Sequence, residues 1–443
     1  MQVGFYEREL TPPLGCRIPG YYETRISAGV KQKLYAKACV VEQDGTYAAF
    51  LALDLISVPF GMSEIVRQRV SEATPIAPES ILIAAIHSHT SAPRVFPTNV
   101  EYSAQDLTEL QVIDHINRIS ADAIILAYQR LQPADAYYAH NNVTGISFIR
   151  QYKLANGEIR TNPGSYVDEG VSRCGEADPS LPIVLFKDKN GKPLGSISSF
   201  ALHHDTVHGV EYSSDYSGML AKNLKEQYGA DYVSLFYQGF CGDINHCDYC
   251  NKKDPYRLTT QMIADALTEK WLEAVEKAEK LADKLQVRWD TVVFDKRQID
   301  EDYLNGLMQL MQNPPDMHDV DVSDPESDVA KYIRSRRMIA WYIEEKQTQF
   351  DAPVQVIALG DLLFFPFVGE QFSQFGHDLR AGSPSAKNMT ISLAHNAEFH
   401  CYYPTTQMIQ PNVYESTYSS FRFAPGSSDR LVKKSLEMAK EML

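Results

Sequence analysis

The chain has 443 residues, 44 % hydrophobic and 22 % charged, an ordinary globular composition that suffices for one large domain or two to three medium ones. Acidic residues (57) outnumber basic ones (42), for a formal charge of −15 and a pI near 5.3, so a nucleic-acid partner or docking on anionic lipid is not expected. No apolar stretch approaches the roughly 20 residues of a membrane span.

The opening, 1-MQVGFYERELTPPLG-15, lacks a basic region followed by an apolar one, as a signal peptide would have. The seven cysteines (16, 39, 174, 241, 247, 250 and 401) are odd in number and irregularly spaced, and read as free thiols of a reducing compartment. A cytoplasmic location is the expectation.

In chain order, strands are predicted over 36–43 and 47–55, a helix over 62–73, a strand over 80–86 and a helix over 105–131. Strands over 182–188 and 194–202, a helix over 217–228 and a strand over 232–238 follow. In 257–284 apolar residues recur every three or four positions, which predicts one long helix. Helices over 328–348 and 428–442 flank a last strand over 354–360.

Mostly apolar strands such as 80–86 suggest a sheet covered on both faces, hence an α/β layered mixed sheet flanked by helices. A single large domain over 1–443 is expected, with a helical, partly polar insertion at about 296–350. No internal repeat is visible. The polar stretch 313-NPPDMHDVDVSDPESD-328 reads as a solvated loop or, more sharply, as a flap over a site.

Four of the twelve histidines form two pairs just after apolar strands, His87 and His89 in 81-ILIAAIHSHTSAPRV-95 and His203 and His204 in 199-SFALHHDTV-207. In extended chain i and i+2 share a face, so His87 and His89 can enter one cleft, but only one of His203 and His204 can. Strand ends are where open α/β sheets bind ligands. Equally, the pairs could be unrelated histidines hydrogen-bonded in loops. A catalytic zinc takes three protein ligands plus water, and Glu370, at the exit of 362-LLFFPFVG-369, is a candidate oxygen ligand or else a helix N-terminal carboxylate. The rival cluster 241-CGDINHCDYC-250 has one CxxC and lacks the second that structural metal sites usually show.

In combination, these motifs resemble the catalytic domain of the neutral/alkaline non-lysosomal ceramidase family. The residues that carry the resemblance are 9-ELTPPLG-15, 34-LYAKACVVE-42, 87-HSHTSAP-93, 199-SFALHHDTV-207, 212-YSSDYSG-218, 235-LFYQGFCGDIN-245, 368-VGEQF-372 and 401-CYYPTTQMIQPNVYE-415, in the family's order. The resemblance implies a Zn2+ ion held by His87, His203, Glu370 and Tyr402, with His89, Arg150 and Tyr414 contacting water or substrate. Asn245 stands where the family has the serine discussed as its nucleophile. An amide forms no acyl-enzyme, so the implied chemistry is attack by zinc-activated water, with Asn245 orienting substrate or donating a hydrogen bond.

The family's C-terminal immunoglobulin-like domain has no counterpart in the 443 residues. The expected activity is therefore cleavage of an amide bond in a small N-acyl molecule, with ceramide a poor substrate. The alternatives are an esterase or glycan-related hydrolase with the same zinc site, or a non-catalytic binding protein. Asp54 could orient a ligand histidine or simply cap a turn.

Overall fold

A computed structural model describes the chain except residues 22, 96–102, 165–170, 252–253 and 317–326, and except the side chains of 336, 337 and 397. The expected flap over 313–328 lies largely outside the described residues.

The strands Tyr35–Gln43 and Thr46–Leu53 show why apolar runs replace alternation: both of their faces are buried. Cys39, Val41, Phe50 and Ala52 point into an inner core, while Ala36, Ala38, Val40, Leu51 and Leu53 meet helices on the other side. These strands belong to a nine-stranded mixed sheet. Its order is Val233–Gln238, Pro193–Phe200, Ser180–Asp188, Gln132–Asn142, Gln2–Glu9, Tyr35–Gln43, Thr46–Leu53, Ile81–Ala85, with Glu279–Lys280 beside Gln132–Asn142. The two outermost pairs are parallel and the rest antiparallel.

A second sheet, Leu285–Asp295, Gln349–Leu359, Leu362–Pro366 and Asn388–Ile391, packs face to face on the first. Ile357, Leu359, Leu362, Phe364, Met389 and Ile391 interdigitate with Phe5, Phe50, Val184 and Phe186, and the Phe50 and Phe364 rings stand 5.0 Å apart. Helices Met62–Ala73, Ala104–Gln129, Asp215–Tyr228 and Thr260–Val275 cover the outer face of the large sheet. Helices Ser373–Gly382 and Ser427–Met442 cover the second. The architecture is α/β and layered, as expected, with a sheet-on-sheet centre that the sequence did not reveal. Among the described residues no helix is long and apolar enough to cross a membrane.

One segment differs from expectation. The helix foreseen over 257–284 ends at Val275, because Glu279–Lys280 adds to the sheet edge and Leu281 donates its N–H to Ala136 O (2.9 Å) and buries its side chain in the inner core. Tertiary pairing overrides local helical pattern here. The excursion near 296–350 is helical, with helices Glu301–Gln312 and Asp328–Ile339 inserted between the paired strands Leu285–Asp295 and Gln349–Leu359.

One connection brings distant strand ends together. Ser392 N–H donates to Gln238 O (2.7 Å), Ala85 N–H to Leu393 O (3.3 Å), and Ala84 bridges Ala394. The segment after Asn388–Ile391 thus ties both outermost strands of the large sheet to the second sheet, so the turns that leave them meet at one end of the molecule.

Candidate metal centre

His87 leaves its strand by a bend. Its φ is +74°, in the left-handed region that a non-glycine residue enters at a cost of about 1 kcal/mol or more. The extended spacing expected for His87 and His89 is therefore absent, yet the bend brings their Nε2 atoms to 3.4 Å. The turn is pinned: His87 N–H and Ser88 N–H both donate to Leu55 O, and His89 N–H to His204 O (3.1 Å). His203 points to the same place, its ring 4.9 Å from that of His87. His204 goes the other way and stacks on Tyr216 at 4.0 Å.

Glu370 enters from the second sheet. Gly369 before it has φ +62°, and a side chain there would sit 2.4 Å from the Tyr403 ring and 2.6 Å from Cys401 O, so only glycine permits the turn. Glu370 Oε2 lies 3.3 Å from His87 Nε2 and 3.2 Å from His203 Nε2, and Oε1 lies 3.4 Å from His400 Nε2. Tyr402 is paired beside Glu370 in a short parallel ladder, its ring against that of Tyr414 (5.6 Å) and under the Arg150 guanidinium (5.1 Å). Arg150 Nε donates to Glu415 Oε1 (2.5 Å), Nη2 to Gly242 O (2.7 Å), and Nη1 stands 3.4 Å from His203 Nε2.

Burial and the single carboxylate set the protonation states. Burial drives His89 down to about 4 and both His203 and His400 down to about 3. His87 is raised instead, because Glu370 outweighs the burial that would lower it. Glu370 itself is held well below its ordinary value: burial pushes it up, but His87 and the His203 and His400 rings beside it prevail. Burial and the Glu370 charge push the Tyr402 phenol well up, so it binds as phenolate only opposite a cation.

These residues fit a metal. Histidine ring nitrogens gathered at one ionised carboxylate form the usual zinc donor set. Glu370 Oε2 is buried without a hydrogen-bond donor, and His87 Nδ1 is oriented by Ile56 O at 2.8 Å, as ligand histidines usually are. Two ligand trios lie within 4.8 Å: His87, His89 and His203; and His87, Glu370 and His400.

The remaining candidates fall as follows. Asn245 is tied locally, its Nδ2 to Asn162 Oδ1 (2.6 Å) and its Oδ1 to Cys247 N–H (2.9 Å). Among the described residues Asp54 reaches no histidine; it pairs with buried Lys37 (3.2 Å) and accepts from Tyr35 N–H. Cys241, Cys247 and His246 form no ligand trio among the described residues, and burial keeps Cys241 a thiol. His400 was not foreseen; its one signal was standing two residues before Tyr402.

A model of the neutral/alkaline non-lysosomal ceramidase N-terminal domain matches residues 2–257. Neutral ceramidase B of Dictyostelium discoideum is 23 % identical over 243 residues, which is 50 % of this chain and 32 % of that protein, so the match spans about a third of the relative's length. Two solved structures share the fold. The crystal structure of neutral ceramidase from Pseudomonas aeruginosa gives a TM-score of 0.71 at 18 % identity, covering 99 % of this chain and 74 % of that one. A ceramidase complexed with C2 gives 0.72 at 17 % identity with the same coverages.

Proposed function

This chain belongs to the neutral/alkaline non-lysosomal ceramidase family, and we propose on that premise that it is a zinc-dependent hydrolase of the amide bond in an N-acyl molecule. The reading is carried by His87 Nε2 and His203 Nε2, 3.3 and 3.2 Å from one buried Glu370 oxygen that accepts no hydrogen bond, with His89 Nε2 3.4 Å from His87 Nε2. His87, His203, Glu370 and Tyr402 would hold the ion. A zinc ion there supplies a water whose pKa is lowered toward about 7 and a Lewis acid for a carbonyl.

The chain's own groups supply the rest. His89 is uncharged and turns Nε2 toward the same point, so it can take the proton of an attacking water. Arg150 stays cationic, since Glu415, Tyr402 and Glu370 outweigh its burial, and its Nη1 beside His203 is placed to meet negative charge that develops on the carbonyl oxygen. Tyr414, packed on Tyr402, is the second donor in this scheme. Asn245 acts at one remove, by tying the segment 242-GDIN-245 to Asn162.

One observation favours a substrate with a lipid chain. Leu14, Ile26, Val30 and Val210 are exposed, and Gly209 O, beside Val210, accepts from Arg25 Nη1 (3.0 Å), whose Nη2 holds His89 O (2.7 Å). Exposed apolar side chains on this part of the chain suit an acyl chain, against the expectation that ceramide is a poor substrate.

The deciding experiment is hydrolysis by zinc-loaded protein of paired water-soluble N-acyl and O-acyl chromogenic substrates, with ceramide in detergent micelles alongside. Amide cleavage that stops on chelation and returns with zinc is expected. Turnover of the ester alone would move the protein to the esterase reading, and activity indifferent to chelation would end the metal reading.

A further inference from the structure

We propose that Asp205 is a positioning residue for His89, its carboxylate facing the ring's Nδ1 so that Nε2 is turned toward the point where His87, His203 and Glu370 converge. Its effect on turnover rests on the function proposed above; the contact itself does not.

The argument starts from a buried atom without a partner. His89 Nδ1 is shielded from solvent and makes no hydrogen bond, a costly state for a ring nitrogen that carries a proton. Asp205 Oδ1 lies 3.7 Å away, a few tenths of an ångström beyond hydrogen-bond range. Such contacts in ligand-free sites commonly tighten when the site is filled. Gly20 lies against this flank, where a side chain would come within 2.8 Å of Nδ1.

Both partners are fixed. The His89 backbone is held at its N–H by His204 O and at its carbonyl by Arg25 Nη2. Asp205 Oδ1 accepts from the Tyr21 hydroxyl, which also contacts His208 Nδ1 (2.6 Å) and lies under the Arg25 guanidinium (3.9 Å). In 203-HHD-205 successive side chains diverge: His203 reaches the centre, His204 stacks on Tyr216, and Asp205 returns to the His89 side.

The chemistry follows from tautomers. A neutral imidazole has one N–H, and an acceptor at Nδ1 places it there, leaving the Nε2 lone pair for a metal or a water proton. Without that acceptor the Nε2–H tautomer competes and the lone pair is lost from the site.

The test uses full-length zinc-loaded protein with ¹⁵N-labelled histidine and two-bond ¹⁵N–¹H NMR. Native His89 is expected as the Nδ1–H tautomer, and Asp205→Ala is expected to shift it toward Nε2–H. Turnover should fall about 10–100-fold, with KM within about twofold and zinc content unchanged. Asp205→Asn, whose amide oxygen still accepts from Tyr21, should lie between. A native His89 with its proton on Nε2 overturns the proposal even if Asp205→Ala does not fold, as does an Asp205→Ala protein with native tautomer and turnover. If no amide or ester is cleaved by the native protein, the hydrolase reading fails while the NMR result still decides the contact.

Discussion

The two halves of the large sheet follow the same course. Each lays down a central strand (Gln2–Glu9; Gln132–Asn142), makes a long excursion, returns through an antiparallel pair (Tyr35–Gln43 with Thr46–Leu53; Ser180–Asp188 with Pro193–Phe200), crosses by a helix and ends on a parallel edge strand (Ile81–Ala85; Val233–Gln238). Even the exit bonds correspond: Ile86 N–H donates to Leu53 O at 3.0 Å, and Gly239 N–H to Phe200 O at 2.9 Å. By that register His203 matches Ile56, and His87 matches Phe240. The excursions correspond too, one bringing Arg25 to the back of His89 and the other Arg150 beside His203. One scaffold used twice has therefore been furnished differently: each half gives a histidine at a position where the other is apolar. The centre is asymmetric although the backbone is not.

Removing the second half's contribution is the severest test of that division. His203→Ala should reduce zinc from about one per chain to near nothing, by elemental analysis after dialysis. His204→Phe, one residue on, should keep the aromatic stack on Tyr216 and the full metal content. Equal retention by both would mean that the halves do not share the site as argued. Next in size is Asp54, whose buried pair with Lys37 is internal to the first half (side chains 1 % and 5 % exposed). Asp54→Ala should cost about 3–5 kcal/mol in chemical unfolding by stranding the lysine, yet leave zinc unchanged.

The two excursion arginines sharpen the comparison. Arg150→Met should lower turnover about 10²–10³-fold with the metal retained, as loss of a donor to developing charge does. Arg25→Met removes the hold on the His89 carbonyl, worth about 1–3 kcal/mol, together with bonds to Pro19 O and Gly209 O, and should cost turnover less. A reversed order would put the substrate carbonyl on the Arg25 side.

Much of this is legible from sequence where the signal is local. Strands such as 81–85 read as apolar because both faces are covered, and Glu370 and the histidine pairs stand out as polar groups at apolar exits. The doubled course was invisible because the halves share a pattern of burial and not of residues. Gln132–Asn142 was missed because its exposed positions are polar and only Ala134, Ala136, Tyr138 and Ala139 are buried. His400 and Asp205 acquire meaning only from what folds against them, Glu370 Oε1 and His89 Nδ1, each far off in the chain.

A pH-dependent effect lies in the turn after the second half's edge strand. Asp243 there is buried and accepts from Ser373 N–H (2.7 Å) and Oγ (2.8 Å), while its own carbonyl takes Arg150 N–H (2.8 Å). Burial raises its pKa to about 6, the bonds from Ser373 only partly opposing it. Its first-half counterpart by register is Thr90, which cannot titrate. A raised folded-state value means the folded chain holds a proton that the unfolded carboxyl, near about 3.9, has released. The stabilisation is therefore complete below about pH 4 and is lost as pH rises through about 6, by on the order of 3 kcal/mol. Asp243→Asn imitates the protonated acid at every pH. Unfolding free energies of both proteins, measured without metal from about pH 4 to about 7, should converge at the acid end and separate toward neutrality, the native protein falling below the variant. A constant difference across that window would mean that Asp243 is ionised throughout and that the turn is held by charge.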